Sequence, residues 1–75
     1  MKNKNMVNRS FIICIKERRK VLGFSQNKLA NMVGISGASI GEFERNECIP
    51  NARTAALICE ALECEFEDLF HLMPF

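Results

Sequence analysis

The sequence lacks the features that mark membrane, secreted and phosphate-cradling proteins. No apolar run approaches the ~20 residues that span a bilayer, and the apolar stretch at residues 11–15 ends at Lys16. A signal peptide needs a longer apolar region followed by a small-residue cleavage site. A glycine-rich loop that contains a lysine is also absent. We therefore expect no membrane partner, and we interpret residues 1–9 as a flexible N-terminal arm.

Cysteine pairs at a metal-binding spacing are absent as well. Four cysteines occur, at Cys14, Cys48, Cys59 and Cys64, and no two of them form a CxxC pair. Cys14 and Cys59 lie in helical patterns where a small apolar side chain packs well. We expect reduced structural thiols, no metal site and a cytoplasmic protein. Two disulfides in a secreted protein, or a metal site, are the alternatives.

The chain also has little that indicates catalysis. His71 is the only histidine, and no serine or cysteine lies near it in the sequence. The acidic residues between positions 60 and 68 lack the ligand spacing and the loop glycine of a calcium site. We expect His71 to lie on the surface at a helix end. We predict no catalytic residues, no cofactor and no small-molecule ligand, so the protein is not predicted to be an enzyme.

What is present is enough for one small domain, which we place at residues 10–75. The hydrophobic fraction of 48% supports a single core. The net charge of +1 hides an asymmetry, because residues 1–28 carry eight basic side chains against Glu17. Residues 29–75 carry two basic side chains against eight acidic ones. A basic half of this kind can face a polyanion, although ordinary solvated surface is the alternative for each lysine.

Apolar residues at spacings of three and four predict five helices and no strand. We place helix 1 from the cap Ser10 to Leu22, and a short helix 5 from Phe66 to about Leu72. The other three are predicted at residues 26–33, 37–45 and 52–62, with the caps Ser25, Ser36 and Asn51. The predicted fold class is all-α, a compact five-helix bundle.

The turn between helices 2 and 3 has a specific pattern. Gly34 can take the left-handed backbone of a sharp turn, and the small Ala30 lets helix 3 cross close over helix 2. The side chains expected to point inward together are Leu29, Val33, Ile35, Ile40 and Phe43. This spacing predicts a helix-turn-helix, whose second helix can enter a DNA major groove.

Several segments carry a family resemblance when they are taken together. They are IKERRKVLGFSQNKLA, VGIS and SIGEFER, followed after Pro50 by ALICEAL and FEDLF. From about residue 15 to residue 70 the chain resembles the phage repressor/Cro-type helix-turn-helix family, the XRE-like transcriptional regulators. The resemblance implies a lambda-repressor-like fold that binds double-stranded operator DNA as a homodimer.

The resemblance also implies roles for particular residues. Gln26, which opens helix 2, would anchor to a phosphate together with the adjoining backbone N–H groups, and Asn27 beside it would contact the DNA. The groove-facing positions would be Ser36, Gly37, Ala38, Ser39 and Glu42. The second phosphate clamp would comprise Arg45, Asn46 and the backbone near Asn51. Arg19 and Glu44 match a pair that forms an interior ion pair in some relatives, with two exposed charges as the alternative.

The chain departs from the family pattern at two places. Relatives often carry long polar side chains where this chain has Gly37, Ala38 and Gly41, and such side chains read base edges. We therefore expect fewer direct base contacts and more dependence on backbone contacts and DNA shape. The second departure is Glu63, where relatives commonly have a glycine. Because a left-handed glutamate is strained, we expect this turn to be built differently.

The C-terminal tail is unusually apolar. Leu72, Met73 and Phe75 are predicted to contribute to a dimer contact, while Leu69 and Phe70 close the core as an alternative or additional role. The first functional hypothesis is a sequence-specific transcriptional regulator that binds a palindromic operator as a dimer. The alternative is a protein–protein module, anti-repressor or antitoxin-like, that keeps the fold without strong DNA binding.

Overall fold

The computed structural model describes residues 11–72, which form five helices and one two-stranded sheet. The elements in order are β1 (Phe11–Ile13), α1 (Ile15–Val21), α2 (Gln26–Val33), α3 (Gly37–Glu44), α4 (Ala52–Leu62), α5 (Phe66–Leu69) and β2 (Phe70–Leu72). The predicted five-helix fold class is confirmed. The predicted N-terminal arm, residues 1–9, lies outside the described residues.

The caps of the three central helices lie where the sequence predicted them. The side chains of Ser25, Ser36 and Asn51 each accept a hydrogen bond from the backbone N–H three residues later. A cap of this kind satisfies one of the N–H groups that have no partner inside the helix. The starts of α2, α3 and α4 are therefore determined by contacts within four residues of sequence.

The core is built around α2, which packs against both α3 and α4, and all five helices and β2 contribute side chains to it. Its buried apolar members are Ile15, Leu29, Ala30, Val33, Ile40, Phe43, Ala55, Ile58, Cys59, Leu62, Leu69 and Phe70. The predicted inward set is largely confirmed, except that Ile35 is only partly buried against this cluster. Among residues 11–72, no helix combines the length and the apolar character needed to cross a membrane.

The prediction for the two ends of the domain was wrong. Helix 1 begins at Ile15 rather than after Ser10. Residues 11–13 instead form a strand that pairs antiparallel with residues 70–72, with Phe11 opposite Leu72 and Ile13 opposite Phe70. Helix 5 correspondingly ends at Leu69. A short apolar run fits a helix or a strand equally well. Aromatic and β-branched residues favour the strand, but only a distant partner strand can satisfy its backbone.

The expectation for Glu63 was also wrong, because the turn keeps the left-handed geometry without a glycine. Glu63 has φ 57° and ψ 48°. The N–H of Cys64 donates to the Cys59 carbonyl at 3.1 Å, the six-to-one bond of a Schellman ending. Arg18 from α1 donates to the carbonyls of Leu62 at 2.8 Å and Glu63 at 3.3 Å. These tertiary bonds hold the glutamate in a conformation that its own backbone disfavours.

Replacing Glu63 with glycine is expected to stabilise the domain by about 0.5–1 kcal/mol. The left-handed conformation costs a non-glycine residue about 1–2 kcal/mol, and glycine's greater freedom in the unfolded chain offsets part of the gain. Urea denaturation measures the change. Asn46→Gly is the matched control, since Asn46 has φ 62° in the same kind of helix ending and asparagine tolerates this region well. An equal rise in the free energy of unfolding for Glu63→Gly and Asn46→Gly would contradict the argument that Glu63 is strained.

Candidate nucleic-acid interface

The α2–turn–α3 unit holds one face of α3 outward. Gly34 closes α2 with φ 87°, and its N–H and that of Ile35 both donate to the Ala30 carbonyl, at 2.8 and 3.0 Å. Ala30, Leu29 and Ile40 are buried beneath the crossing. The small Ala30 side chain lets the two helices approach closely, while Ser36 and Ala38 at the start of α3 remain exposed.

The outward face of α3 carries small side chains and one carboxylate. Ser36, Ala38 and Glu42 are exposed, Gly37 and Ser39 are partly buried. The hydroxyls of Ser36 and Ser39 are hydrogen-bonded to each other at 3.0 Å, so part of their capacity is used within the helix cap. The predicted groove-facing positions therefore lie on one accessible surface, and that surface is poor in long polar groups.

The two α3 glycines lie beneath long side chains, Gly37 beneath Asn27 of α2 and Gly41 beneath Arg45 and Gln26. A Cβ on Gly37 would overlap Asn27 Oδ1 and lie 3.4 Å from its Cγ. A Cβ on Gly41 would lie 3.1 Å from Arg45 Nη1 and 3.7 Å from Gln26 Nε2. Gly37 thus makes room for the Asn27 amide of the neighbouring helix, and Gly41 makes room chiefly for the Arg45 guanidinium.

Gln26 is tied to a buried ion pair that joins three helices. Arg19 on α1 donates to both carboxylate oxygens of Glu44 on α3, through Nε at 2.7 Å and Nη2 at 3.2 Å. Gln26 Nε2 donates to Glu44 Oε1 at 3.0 Å, and Arg19 Nη1 donates to the Phe24 carbonyl at 2.8 Å. The Arg19 and Glu44 side chains are 9% and 4% exposed. The structure therefore places this pair inside the fold, where it orients Gln26.

The electrostatics of Glu44 follow from this network. Burial by itself raises the pKa of Glu44, because the interior solvates a carboxylate poorly. Hydrogen bonds from Arg19 and Gln26, together with the charges of Arg19 and Lys16, outweigh that effect and hold the pKa of Glu44 below its ordinary value. The folded protein therefore favours the charged form of the Glu44 carboxylate over the protonated form.

The residues predicted as a second phosphate clamp follow α3 in one exposed loop. Arg45 donates to both carboxylate oxygens of Glu47, at 2.8 and 3.1 Å, and both side chains are exposed. Asn46 is left-handed, and Asn51 caps α4. These groups share the loop between α3 and α4, but Glu47 is a rival to phosphate for the Arg45 guanidinium.

Fewer of the basic side chains in residues 1–28 are available to bind phosphate than their number in the sequence suggests. Arg19 is buried in the ion pair, and Arg18 is bound to carbonyl groups at the end of α4. Within residues 11–72, the exposed lysines of this half are Lys16, Lys20 and Lys28. Lys2, Lys4 and Arg9 lie outside the described residues. Sequence reasoning missed the Arg18 contact because its carbonyl partners carry no side-chain signal.

The predicted dimer contact is described only in part. Leu72 is 43% exposed at the end of β2, and Phe66 on α5 is 50% exposed near it in sequence. Phe66 stacks on Phe70, and Phe70 on Phe11. Met73 and Phe75 lie outside the described residues. Phe70 is buried and closes the core, whereas Leu72 is exposed, and the dimer contact stays a prediction.

His71 lies in β2, not at a helix end, and it contacts a cysteine that is distant in sequence. Its Nδ1 is 3.0 Å from the Glu67 carbonyl, and its Nε2 is 3.6 Å from Cys14 Sγ. A carbonyl only accepts, so Nδ1 donates and Nε2 is left to accept from the thiol. Burial, and secondarily the charge of Glu17, raise the pKa of the Cys14 thiol. The contact therefore ties the start of α1 to β2.

The chain is similar to known regulators over most of its length. The sequence model of the helix-turn-helix family matches residues 15–69. The HTH-type transcriptional regulator YgzD of Bacillus subtilis is 34% identical over 58 residues, which cover 77% of this chain and 88% of YgzD. The repressor protein C2 of Salmonella phage P22 is 40% identical over 50 residues, 67% of this chain but only 23% of that repressor.

Solved structures show the same similarity in three dimensions. The P22 c2 repressor, crystallised in complex with a synthetic operator, superposes with a TM-score of 0.69 and 38% identity, covering 71% of this chain and 80% of that one. The restriction-modification controller protein C.AhdI of Aeromonas hydrophila superposes with a TM-score of 0.70 and 28% identity, covering 75% and 85%. The chain therefore belongs to the helix-turn-helix family, as a transcriptional regulator of the repressor (XRE-like) type.

Proposed function

We propose that this protein binds operator DNA as a homodimer in the cytoplasm and regulates transcription, with α3 in the major groove. The observation that carries the proposal is the accessible start of α3, where Ser36 and Ala38 are exposed, beside the exposed N-terminus of α2. Together they present hydroxyl, amide and backbone N–H groups to one side. The N-terminus of a helix attracts phosphate, because its free N–H groups carry partial positive charge.

The similarity to a repressor solved with an operator supports the same assignment. The proposed contacts follow the order of the elements. Gln26 faces the first phosphate, with Asn27 beside it at the start of α2. Residues 36–39 and Glu42 face the groove, and Arg45, Asn46 and Asn51 face the second phosphate. A two-fold dimer places its half-sites about 34 Å apart on one face of the duplex. Leu72, with Met73 and Phe75, is the proposed dimer contact.

A protein–protein module is the second candidate, and a specific observation favours it. Glu47 occupies the guanidinium of Arg45, and Glu42 adds a carboxylate to the exposed face of α3. A carboxylate facing DNA is repelled by the phosphates. In this candidate function the same surface would bind a protein, anti-repressor or antitoxin-like, in place of a duplex.

Selection of bound duplexes from a random DNA library is expected to recover a palindromic sequence whose half-sites lie one helical turn apart. A plot of the logarithm of the binding constant for that sequence against the logarithm of salt concentration should be a falling line. Each neutralised phosphate should contribute about −0.9 to its slope. Sedimentation of the protein with the selected duplex should give two chains per site. Recovery of no preferred sequence, with a flat salt response, would favour the protein-binding module.

A further inference from the structure

We propose that Asn27 on α2 reads a base edge in place of the first residue of the recognition helix, and that Gly37 is the substitution that permits it. This inference rests on the proposed DNA-binding function. It assigns one specificity-determining contact to a helix that would otherwise contact only phosphate. The base that matches an asparagine amide is adenine, whose N7 accepts and whose N6 donates.

The geometry makes the two positions mutually exclusive. Gly37 is the first residue of α3, and a Cβ at this position would overlap Asn27 Oδ1 and lie 4.0 Å from Asn27 Cα. Any side chain at position 37 would therefore displace the Asn27 amide from its present place. Glycine commonly marks sites where another group approaches the backbone closely. The amide thus occupies the space into which a side chain at position 37 would project.

The Asn27 amide is also free to bind. Asn27 is exposed, and among residues 11–72 its side chain makes no hydrogen bond, whereas the neighbouring Gln26 amide already donates to Glu44. An asparagine amide offers two donor hydrogens and a carbonyl acceptor. Ala38 has no polar group, and the Ser39 hydroxyl is shared with Ser36. Among residues 11–72, Asn27 is consequently an amide on this surface whose donor hydrogens and acceptor are all uncommitted, whereas Gln26 is held in place by its bond to Glu44.

A phosphate contact is the rival role for Asn27, because the residue lies in the first turn of α2. The two roles predict different results. Loss of a base contact relaxes the sequence preference at one position, whereas loss of a phosphate contact weakens binding uniformly and lowers the salt slope by about one. The discriminating measurement is therefore the preference at each base pair, in addition to the affinity.

The experiment compares the wild-type chain with Asn27→Ala by selection from a random duplex library. The variant is expected to lose its preference at one base pair in each half-site, and its affinity for the wild-type sequence should fall about tenfold. Binding to duplexes with another base at that position should be nearly unchanged. Thermal denaturation of both proteins checks the fold. We expect the fold to be preserved, because alanine is a good helix former at an exposed helix position.

A position swap provides the matched control. Gly37→Asn in the Asn27→Ala background places an amide on α3 in the space that the truncation opens, so discrimination at the same base pair should return. Gly37→Asn alone should disturb discrimination, because it displaces Asn27.

The possible failures can be told apart. If the wild-type chain selects no sequence, the DNA-binding function itself is overturned. If the wild type and Asn27→Ala select the same sequence with equal strength, only the role of Asn27 is overturned. A uniform loss of affinity with a lower salt slope would assign Asn27 to phosphate and would likewise overturn the proposal.

Discussion

Replacing Glu44 with alanine is expected to lower the free energy of unfolding by about 3–5 kcal/mol, the usual result of stranding a buried charge. The Arg19 guanidinium would keep its bond to the Phe24 carbonyl but lose both bonds to the carboxylate. A chain of 75 residues is stabilised by only about 4–11 kcal/mol in total. The variant should therefore unfold at a much lower urea concentration than the wild type, as measured by circular dichroism.

Two further variants separate the buried pair from a general effect of charge. Glu47→Ala removes a carboxylate from the exposed pair with Arg45, and solvent screening leaves such a pair little influence on stability. We expect little change in unfolding for that control. The double variant Arg19→Met with Glu44→Leu removes both buried charges, so it should recover most of the lost stability. A double variant as unstable as Glu44→Ala would contradict the stranded-charge explanation.

The same network has a pH signature with a definite sign. The pKa of Glu44 is lower in the folded protein than in the unfolded chain, where a glutamate titrates near about 4.3. Its stabilising contribution is therefore complete above that value and is lost as the pH falls through the lower, folded pKa. The double variant Arg19→Met with Glu44→Leu lacks this carboxylate. As the pH is lowered below about 4.3, its free energy of unfolding should therefore fall less than that of the wild type.

Replacing Ser39 with glutamate is expected to weaken operator binding about tenfold to a hundredfold, or about 1.4–2.8 kcal/mol, without unfolding the protein. Ser39 lies three residues after the cap Ser36, whose hydroxyl accepts from the Ser39 N–H at 3.1 Å. A glutamate at this position completes a capping box and suits the positive end of the helix. On the proposed docking, however, the new carboxylate faces phosphates, so binding should weaken through charge repulsion. Fluorescence anisotropy with a labelled duplex measures the change.

Ser39→Gln is the matched control for this substitution. Glutamine has the same length and also completes a capping box, but it carries no charge. The ratio of the two affinities therefore reports repulsion and excludes the effect of side-chain size. Equal affinities for the glutamate and glutamine variants would place position 39 away from the duplex and count against α3 as the recognition helix.

The parts of the fold that were predicted correctly depend on contacts within a few residues of sequence. Ser25, Ser36 and Asn51 cap the helices that they precede, and Gly34 turns the chain between α2 and α3. Each of these signals acts over three or four residues. The sequence therefore predicts the helix-turn-helix unit to within a residue.

The parts that were predicted wrongly depend on partners from elsewhere in the chain. Residues 11–13 form a strand because residues 70–72 supply the other half of the ladder. Glu63 is left-handed because its turn is held by Arg18 of α1. No local pattern reports such partners. The same reason explains why two basic residues that indicated phosphate contact have partners within the fold instead, Arg19 in the buried ion pair and Arg18 on the carbonyls at the end of α4.

The sequence alone determined the helix-turn-helix unit, because helix caps and apolar periodicity are local properties of a chain. The family, and the residues expected near the exposed face, followed from the resemblance of several sequence segments to the phage repressor/Cro-type family. Tertiary structure decided which groups on that face remain free to bind. It engaged Arg19 and Gln26 with Glu44, engaged Arg45 with Glu47, and left the Asn27 amide over Gly37. Whether a polar group is free depends on which partners packing brings within hydrogen-bonding distance, and packing joins residues that are far apart in the sequence.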